Sequence, residues 1–391
     1  MRYALFLIAL FSTLSAVDQT ALYLTLSRTP ESGMIVNWIT GEPEGESFSF
    51  QQLGNSAIQT SSVRVFSLPN GKYLHRTELS DLFPGSTYQF QIGNEDKKYR
   101  FRTLPKDVEK PLNFVMGGDL FPGKIEPFAR TCRQAAQTDP YFALLGGDIA
   151  YTGASRKEGK EDFDRWMDFF ITWSREMVTS EGYLIPILAA IGNHEVNGHY
   201  NQTPDDALGF YSFFRGTGEK SYQAVNFGNY MSLVLLDSDH TYPVEGGQEL
   251  WLEEALKVAC SYPRKFVTYH VPAYPSVRRW TESVPKKIRK YWTPLFDQYD
   301  VTAVFENHDH AYKRTYPIRN HTVDPKGIIY FGDGGWGTNM RRPKKPSQRF
   351  YLAKTKSARH FILVSLHQNK TFFNAIDENG KSFDNISKES R

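Results

Sequence analysis

Cysteine is scarce in this chain: its 391 residues include only two, Cys132 and Cys260. So few thiols exclude a small scaffold built on disulfides, even in an oxidising compartment. Both cysteines fall in or beside a predicted helix. One disulfide and two free buried thiols both remain open.

An excess of charge of one sign is also missing, because 46 basic side chains face 43 acidic ones and the formal net charge is +3. Basic and acidic residues are interleaved, so neither a nucleic-acid partner nor an anionic membrane surface is indicated. Residues 341–345 hold the densest basic cluster. We predict a solvated loop there.

Long apolar runs are missing beyond the first residues. The run Ala4–Phe11 follows Arg2 and is too short to span a bilayer. A basic start, a short apolar core and small residues up to Ala16 are typical of a secretory signal, so we predict a signal peptide at residues 1–16 and a secreted, periplasmic or extracellular protein. An N-terminal strand or anchor is the alternative. No later segment is predicted to cross a membrane, so the mature chain is expected to be soluble; its oligomeric state is left open.

Residues 20–104 consist of short apolar runs separated by polar, glycine or proline breaks. Strands are predicted at 21–27, 34–40, 47–52, 73–79, 88–92 and 98–103. Short strands at this spacing indicate a β-sandwich of immunoglobulin-like size. The sandwich contains no cluster of titratable residues, so a structural role is expected. The charged, proline-containing residues 105–111 are predicted to be a linker.

Residues 112–391 alternate between strand and helix patterns. Strands are predicted at 113–116, 142–145, 185–191, 230–236, 266–269, 301–305 and 328–331, and helices at 125–137, 161–179 and 248–259. This alternation indicates an α/β layered domain whose sheets are covered on both faces. Residues 361–376 are predicted to be closing strands, and the polar residues after Asp377 a loose tail.

Five of these strands are followed by side chains that bind metal ions. They are Asp119; Asp148 and Tyr151; Asn193; His270; and His308 and His310. One such residue after a strand is usually part of an ordinary turn. Five ligand-bearing turns in one α/β domain instead predict a shared site, because ligands bind at the strand ends of such sheets. Sites for two metal ions hold them roughly 3.5 to 4 Å apart.

Three of the predicted ligands are oxygen donors that are negatively charged when bound: Asp119, Asp148 and Tyr151. His310 completes this set. Hard anionic donors suit a trivalent ion such as Fe(III).

The other predicted ligands, Asn193, His270 and His308, are neutral. With Asp148 as a bridge, they suit a divalent ion such as Zn, Mn or Fe(II). The sequence therefore predicts a pair of unlike metal ions.

The five stretches, in this order, resemble the motifs of the calcineurin-like metallophosphoesterases. Tyr151, three residues after Asp148, resembles the purple acid phosphatases, in which a tyrosinate bound to Fe(III) gives the colour. Trp38 in a strand and the later stretch 82–88 resemble fibronectin type III modules, as in the two-domain, plant-type members. The likeness covers essentially the whole mature chain.

The resemblance implies an N-terminal all-β, fibronectin type III-like sandwich at 20–104 and a C-terminal α-β-β-α layered metallophosphoesterase domain at 112–391. It implies a secreted acid phosphatase that hydrolyses phosphate monoesters of small molecules by attack of a metal-activated hydroxide. Asn193 and His194 are expected to contact the phosphate, and His194 to protonate the leaving group. The alternative for His194 is a core histidine that orients Glu195 or Asp148.

The chain departs from the family pattern at several positions. Leu120 and Phe121 follow Asp119, where the family usually has glycine two places on. The last motif opens with Asn307 in place of glycine. Since asparagine tolerates a positive φ, we expect the turn to form.

The loop after His270 carries Arg278, Arg279 and Trp280, where plant-type members carry paired histidines. Arginine binds phosphate through two hydrogen bonds but cannot give up a proton near neutral pH. We predict Arg278 and Arg279 to be substrate-side cations, with a solvated loop as the alternative. His199 and His240 also lie in loops. A place at the border of the crevice remains open for both, and surface positions are the default expectation.

Two other functions compete. A phosphodiesterase or nucleotide pyrophosphatase is one, because the same pair of metal ions serves diesters. A non-catalytic surface adhesin with a relic metal site is the other, and the complete set of ligand types argues against it.

Overall fold

The computed structural model describes residues 21–43, 47–93, 96–153, 161–196, 199–214, 219–332 and 334–389. The predicted signal peptide at residues 1–16 lies outside this part of the chain. Among the described residues, no helix has the length and apolar character needed to cross a membrane.

The N-terminal part is a sandwich of two layers. Its strands are β1 (Ala21–Leu26), β2 (Met34–Thr40), β3 (Phe48–Gln52), β4 (Gln59–Ser61), β5 (Arg64–Ser67), β6 (Tyr73–Leu79), β7 (Thr87–Ile92) and β8 (Tyr99–Arg102). Strands β1, β2, β6 and β5 pair in one layer, and β4, β3, β7 and β8 in the other. The sequence did not predict β4 and β5, because both are largely exposed and lack an apolar face.

Two aromatic residues close the sandwich as the resemblance implied. Trp38 is fully buried and stacks on His75, with ring centroids 5.4 Å apart. The hydroxyl of Tyr88 accepts a hydrogen bond from the backbone nitrogen of Phe83 at 2.8 Å. This bond fixes the corner between the two layers.

The C-terminal part contains most of the helices and strands. Its strands are β9 (Leu112–Gly117), β10 (Ala143–Leu145), β11 (Ile187–Ala189), β12 (Gln223–Phe227), β13 (Met231–Leu235), β14 (Lys265–Thr268), β15 (Ala303–Glu306), β16 (Tyr312–Thr315), β17 (Ile318–Arg319), β18 (Thr322–Val323), β19 (Ile329–Gly332), β20 (Leu352–Lys356), β21 (His360–His367), β22 (Lys370–Asp377) and β23 (Ser382–Glu389). Its helices are α1 (Ile125–Ala136), α2 (Phe163–Glu176), α3 (Leu208–Phe214), α4 (Gly247–Ala259), α5 (Ser283–Tyr291) and α6 (Thr293–Gln298).

Two large sheets organise these elements. The first has the order β23-β22-β21-β9-β10-β11-β1-β2-β6-β5, and the second has the order β12-β13-β14-β15-β19-β16-β20. Strands β9, β10 and β11 are parallel, as are β13, β14, β15 and β19. Parallel neighbours bring their carboxyl ends to one edge of each sheet.

The two sheets pack face to face, and helices cover their outer faces. Phe114 of β9 meets Phe266 of β14 between the sheets, at 5.9 Å between ring centroids. Helices α1 and α2 pack on the first sheet. Helices α4, α5 and α6 pack on the second sheet. The predicted α-β-β-α layering is confirmed.

Strand pairing crosses the predicted boundary between the two parts of the chain. Strand β1 pairs in parallel with β11, with Thr25 opposite Ile187. The hydroxyl of Tyr23 also donates to the carbonyl of Phe213 at 3.1 Å. The sandwich is therefore held against the layered domain by a shared sheet as well as by side chains.

Two expectations for the C-terminal part and the cysteines need correction. The residues after Asp377 are not a loose tail, because β23 pairs with β22, after a turn in which Gly380 has a φ of 78°. Both cysteines are free, but only Cys132 is buried, with Sγ 3.3 Å from Nε1 of Trp336. Cys260 is exposed at the end of α4.

Candidate metal centre

The seven predicted ligands come together in one crevice, at the carboxyl ends of five parallel strands. Strand β9 leads to Asp119, β10 to Asp148 and Tyr151, β11 to Asn193, β14 to His270, and β15 to His308 and His310. Strand β10 lies between β9 and β11, and β14 lies beside β15, so each sheet brings its ligand-bearing turns together at one edge.

One group of donor atoms surrounds the hydroxyl of Tyr151. This hydroxyl lies 3.2 Å from Oδ1 of Asp119 and 3.4 Å from Nε2 of His310. Oδ1 of Asp119 and Nε2 of His310 are 2.9 Å apart. Three donors of the predicted Fe(III) set therefore converge on one point.

A second group surrounds Nε2 of His270. This nitrogen lies 3.1 Å from Oδ1 of Asn193 and 3.1 Å from Nδ1 of His308. The three donors of the predicted divalent set are thus also in mutual contact.

Asp148 belongs to both groups. Its donor atom lies within 4.8 Å of those of His270 and His308, and a donor atom of Asp148 is equally close to those of Asp119 and His310. Its Oδ2 is 3.2 Å from Nε2 of His270. The position of Asp148 between the groups is the one that a bridging carboxylate needs.

The electrostatics of the centre match a site built for cations. Burial, followed by the charges of Asp119 and Asp148, raises the pKa of Tyr151 well above its usual value. Burial opposes ionisation of Asp148 too, but the imidazoles of His270 and His194 hold its pKa well below the ordinary value. A phenol therefore ionises here only if a cation compensates its charge, so the donor set fits metal ions.

The two imidazoles of the second group differ. Burial, then the positive charges of Arg278 and His270, lowers the pKa of His308 well below its usual value. Burial also acts against a charge on His270, but the carboxylate of Asp148 raises its pKa to about 9. The surroundings of His308 thus favour the neutral imidazole, the form that coordinates a metal, whereas Asp148 favours the charged form of His270.

The backbone at the centre is strained. The φ angles of Asp119, Asp148, Tyr151, His308 and His310 are 57°, 52°, 55°, 77° and 56°. Residues other than glycine rarely adopt such φ angles, and each instance costs about 1–3 kcal/mol. Hydrogen bonds between the turns hold this geometry, for example from the backbone nitrogen of Asp119 to the carbonyl of Gly147 at 3.0 Å and from the backbone nitrogen of His308 to Oδ2 of Asp119 at 2.9 Å.

The turn at Asn307 forms as expected, but Asn307 itself does not have a positive φ; the positive angles occur at His308 and His310. The side chain of Asn307 donates from Nδ2 to the carbonyl of Tyr269 at 3.0 Å. It packs so closely on Gly146 that a Cβ there would lie 1.9 Å from Nδ2. Asn307 therefore links two neighbouring turns of the site.

His194 lies at the rim of the centre. Its backbone nitrogen donates to Oδ1 of Asp148 at 2.8 Å, and its ring stacks on Tyr151 at 4.5 Å between centroids. Its side chain is 27% exposed, and Nε2 is 3.9 Å from Oδ2 of Asp148. A partly exposed ring in this place can reach a ligand in the crevice, unlike a core histidine.

The structure separates the two predicted substrate-side arginines. Nη1 of Arg278 lies 2.9 Å from Oδ1 of Asp309 and also donates to the carbonyl of His308. Arg279 is exposed, and its backbone nitrogen donates to Oε1 of Glu282 at 3.2 Å. Arg278 thus borders the centre and Arg279 lies further out.

Sequence reasoning missed two buried carboxylates that support the site. Glu195 accepts hydrogen bonds from the backbone nitrogens of Asp148, Ile149 and Gly192 at 2.8, 2.6 and 2.8 Å. Burial, then the charge of Asp148, raises the pKa of Glu195 to about 8, and the backbone donors oppose this rise. The position of Glu195, close after Asn193, was the only signal of this role in the sequence.

The second missed carboxylate is Asp309, which is fully buried between the two histidines of the last motif. The default surface position expected for His240 is wrong, because its side chain is fully buried. Its ring centroid lies 5.7 Å from that of His270, so His240 borders the site, which was the alternative. His199 is exposed, as expected.

Two family models match this chain. The family model of the calcineurin-like phosphoesterases matches residues 112–312, and that of the purple acid phosphatase N-terminal domain matches residues 20–103. Purple acid phosphatase 23 of Arabidopsis thaliana is 25% identical over 373 residues, which cover 81% of this chain and 79% of that protein. Fe(3+)-Zn(2+) purple acid phosphatase 12 of the same plant is 23% identical over 387 residues, covering 90% and 79%.

A solved structure supports the fold. The purple acid phosphatase PPD1 from yellow lupin (Lupinus luteus) superposes with a TM-score of 0.74 at 14% identity, over 94% of this chain and 73% of that one. The fold and the clustered ligands define a metallophosphoesterase, and the chain belongs to the calcineurin-like phosphoesterases. Within them it is a member of the purple acid phosphatases, and thus a metal-dependent phosphatase.

Proposed function

We propose that this protein hydrolyses phosphate monoesters of small molecules with Fe(III) and a divalent ion, Zn, Mn or Fe(II), held side by side. The observation that carries the proposal is the pair of donor groups that share Asp148. When bound, the metal pair supplies the positive charge that binds phosphate and lowers the pKa of the attacking water. The name of the Fe(3+)-Zn(2+) relative supports the choice of ions.

The donor chemistry supports the assignment of each ion. Asp119, Tyr151 and His310, with Asp148, would hold Fe(III), because two carboxylates and a phenolate neutralise a trivalent charge. The phenol of Tyr151 is the group that most needs such a charge, since its buried, anionic surroundings raise its pKa.

Asn193, His270 and His308, with Asp148, would hold the divalent ion. Asn193 presents Oδ1 to this group of donors, so its amide nitrogen would donate to a phosphate oxygen. Because these donors are neutral, they would leave most of the ion's positive charge uncompensated, which favours the binding of an anionic ester there.

Three side chains at the rim would act on the substrate. His194 would contact the phosphate and pass a proton to the leaving alcohol, which its partial exposure allows. Arg278, held by Asp309, would donate to a phosphate oxygen. Arg279, on the exposed side of the same loop, would contribute a more distant positive charge.

The remaining expectations stay proposals. The proposal of export rests on the pattern of residues 1–16. The division into 20–104, 105–111 and 112–391 rests on the change from strand patterns alone to alternating strand and helix patterns. A phosphodiesterase or nucleotide pyrophosphatase is the second candidate, favoured by the presence of Arg278 at the rim, because arginine neutralises phosphate but donates no proton. The adhesin alternative is not retained, since the family and the complete donor set both indicate a phosphatase.

A paired assay tests the proposed function. The purified protein, with its metal content measured, is assayed with 4-nitrophenyl phosphate and with bis(4-nitrophenyl) phosphate. The proposal expects a visible absorption band, two metal ions per chain and faster hydrolysis of the monoester. Preference for the diester would favour the second candidate, and a colourless protein without hydrolysis of either ester would contradict both.

A further inference from the structure

Beside the metal centre runs a strip of positive charge. Arg341, Arg342, Lys344 and Lys345 are exposed, and we refer to these four residues as the cationic rim. The sequence from residue 334 to residue 360 contains no acidic side chain. The rim is therefore not neutralised by its own segment.

Backbone hydrogen bonds place the cationic rim against the two halves of the site. The backbone nitrogen of Arg341 donates to the carbonyl of His310 at 2.9 Å. The backbone nitrogen of Lys344 donates to the carbonyl of Ser276 at 2.8 Å. The rim thus runs from the turn that carries His310 to the loop that follows His270, along the border of the crevice.

A side-chain bond adds a third attachment. Nη2 of Arg349, which follows the rim, donates to the carbonyl of Arg278 at 3.2 Å. Arg278 is the arginine whose guanidinium borders the metal centre. The cationic rim therefore lies next to the arginines of the loop after His270. The loop predicted at residues 341–345 is solvated, and it also forms part of the edge of the site.

The charges of the rim differ from those of the basic residues that follow in sequence. Lys354, Lys356 and Arg359 lie 3.4, 3.6 and 3.4 Å from the carboxylates of Asp384, Asp377 and Glu378. None of the four rim residues forms an ion pair with another side chain of the described residues. The basic residues at 354–359 are thus neutralised by nearby carboxylates, whereas the cationic rim beside the site is not.

We propose that the preferred substrates are small phosphate esters or anhydrides that carry further phosphate groups, one bound at the metal centre and the others at the cationic rim. This inference rests on the proposed phosphatase function and narrows its substrate class. Lysine and arginine bind phosphate through charge-assisted hydrogen bonds. A long nucleic acid is less suited, because the chain has a net charge of only +3 and no other basic block of this density.

The test compares substrates with one and with several phosphate groups. Arg341→Glu/Arg342→Glu and Lys344→Glu/Lys345→Glu are assayed with 4-nitrophenyl phosphate, a nucleoside triphosphate, inorganic tripolyphosphate and an inositol polyphosphate. Because the replaced side chains are exposed, the fold is expected to persist, and a thermal unfolding scan checks this. The control is Lys106→Glu/Lys110→Glu, which reverses two exposed charges just before β9, at the opposite end of the parallel strands.

For the wild-type protein, kcat/KM is expected to be higher for the substrates with several phosphates, and the advantage is expected to shrink with added salt. Each rim variant is expected to lower the ratio of kcat/KM for these substrates to that for 4-nitrophenyl phosphate by roughly tenfold, and the control to leave the ratio unchanged. Equal ratios in the rim variants and in the control would overturn the inference. The compound whose kcat/KM most exceeds that for 4-nitrophenyl phosphate identifies the kind of polyphosphate that the protein prefers.

A binding experiment separates this inference from the function on which it rests. Inositol hexakissulfate, which carries many negative charges and no phosphate to hydrolyse, is titrated into each variant by calorimetry. Weaker binding to the rim variants than to the control supports the rim even if hydrolysis fails, whereas identical affinities overturn it. Absence of hydrolysis of every phosphate compound by the wild type would contradict the proposed function alone.

Discussion

The carboxylate of Asp309 lies 2.9 Å from Nη1 of Arg278 and also accepts hydrogen bonds from the backbone nitrogens of Val277 and Arg278. Asp309 stands between two predicted metal ligands, His308 and His310. The turn that positions both imidazoles therefore also fixes the loop after His270. This link ties the position of a substrate-side cation to the geometry of the metal centre.

The first prediction concerns that link. Arg278→Ala is expected to raise the KM for a phosphate monoester by about tenfold or more, because a hydrogen bond to a charged group contributes about 1.5–3 kcal/mol. Asp309→Asn is also expected to raise KM. Asp309→Glu, which keeps the carboxylate, is expected to raise KM less than Asp309→Asn does. Arg279→Ala is the comparison, with a smaller effect expected from its exposed position. Equal effects at Arg278 and Arg279 would contradict the placement of Arg278 at the site.

The second prediction concerns the phenol. Tyr151→Phe is expected to abolish the visible absorption band while the protein stays folded, because the ring still packs against His194 and only the oxygen donor is lost. Absorption between the near ultraviolet and the red, measured at equal metal content, checks this. Tyr200→Phe is the control, since Tyr200 stacks on His240 and is not among the donors. Loss of the band in the control but not in Tyr151→Phe would reject the assignment.

The third prediction concerns Glu195, which holds the turns after β10 and β11 together. Glu195→Gln puts an amide N–H against a backbone N–H, so we expect the free energy of unfolding to fall by about 1–3 kcal/mol. Glu254→Gln, at a side chain that is 71% exposed, is expected to change it by less than about 0.5 kcal/mol. Denaturant titration of both variants checks this. An unchanged free energy of unfolding in Glu195→Gln would show that the turns do not depend on this carboxylate.

The fourth prediction concerns a buried ion pair beneath the loop after His270. Nζ of Lys313 donates to Oε2 of Glu306, and neither side chain is exposed. Lys313→Met alone is expected to destabilise the fold by about 3–5 kcal/mol, because it leaves a buried carboxylate without its partner.

The double variant Lys313→Met/Glu306→Gln is the control for that loss. Its amide oxygen can still accept from the hydroxyl of Tyr269 and the backbone nitrogen of Ala273. We therefore expect it to recover part of the stability lost in the single variant. A double variant as unstable as the sum of the two single variants would show that the charges are not coupled.

Much of the fold was predictable because many of its strands and helices have a clear local sequence pattern. The apolar runs at β9, β14 and β15 and the periodicity of α1 are visible in the sequence alone. Strands such as β5 and β23 were missed because they are edge strands with exposed, polar residues, whose pairing depends on a neighbour distant in sequence. The continuity of the first sheet through Thr25 and Ile187 has no local signal at all.

The ligands were predictable for a related reason. Strand ends meet at one edge of a sheet, so the types of side chain that follow the strands predict a site even without distances. The roles of Glu195 and Asp309 were not predictable, because each depends on backbone nitrogens of other turns. The placement of the basic residues 341–345 beside His310 likewise follows only from the tertiary structure.

The central claim is that two unlike metal ions share Asp148. Anomalous X-ray diffraction from crystals of the metal-loaded protein, collected at the iron edge and at the edge of the divalent metal, tests it most directly. We expect two peaks roughly 3.5 to 4 Å apart, with iron beside Tyr151 and the second metal beside His270. A single peak, or two peaks that do not flank Asp148, would contradict it.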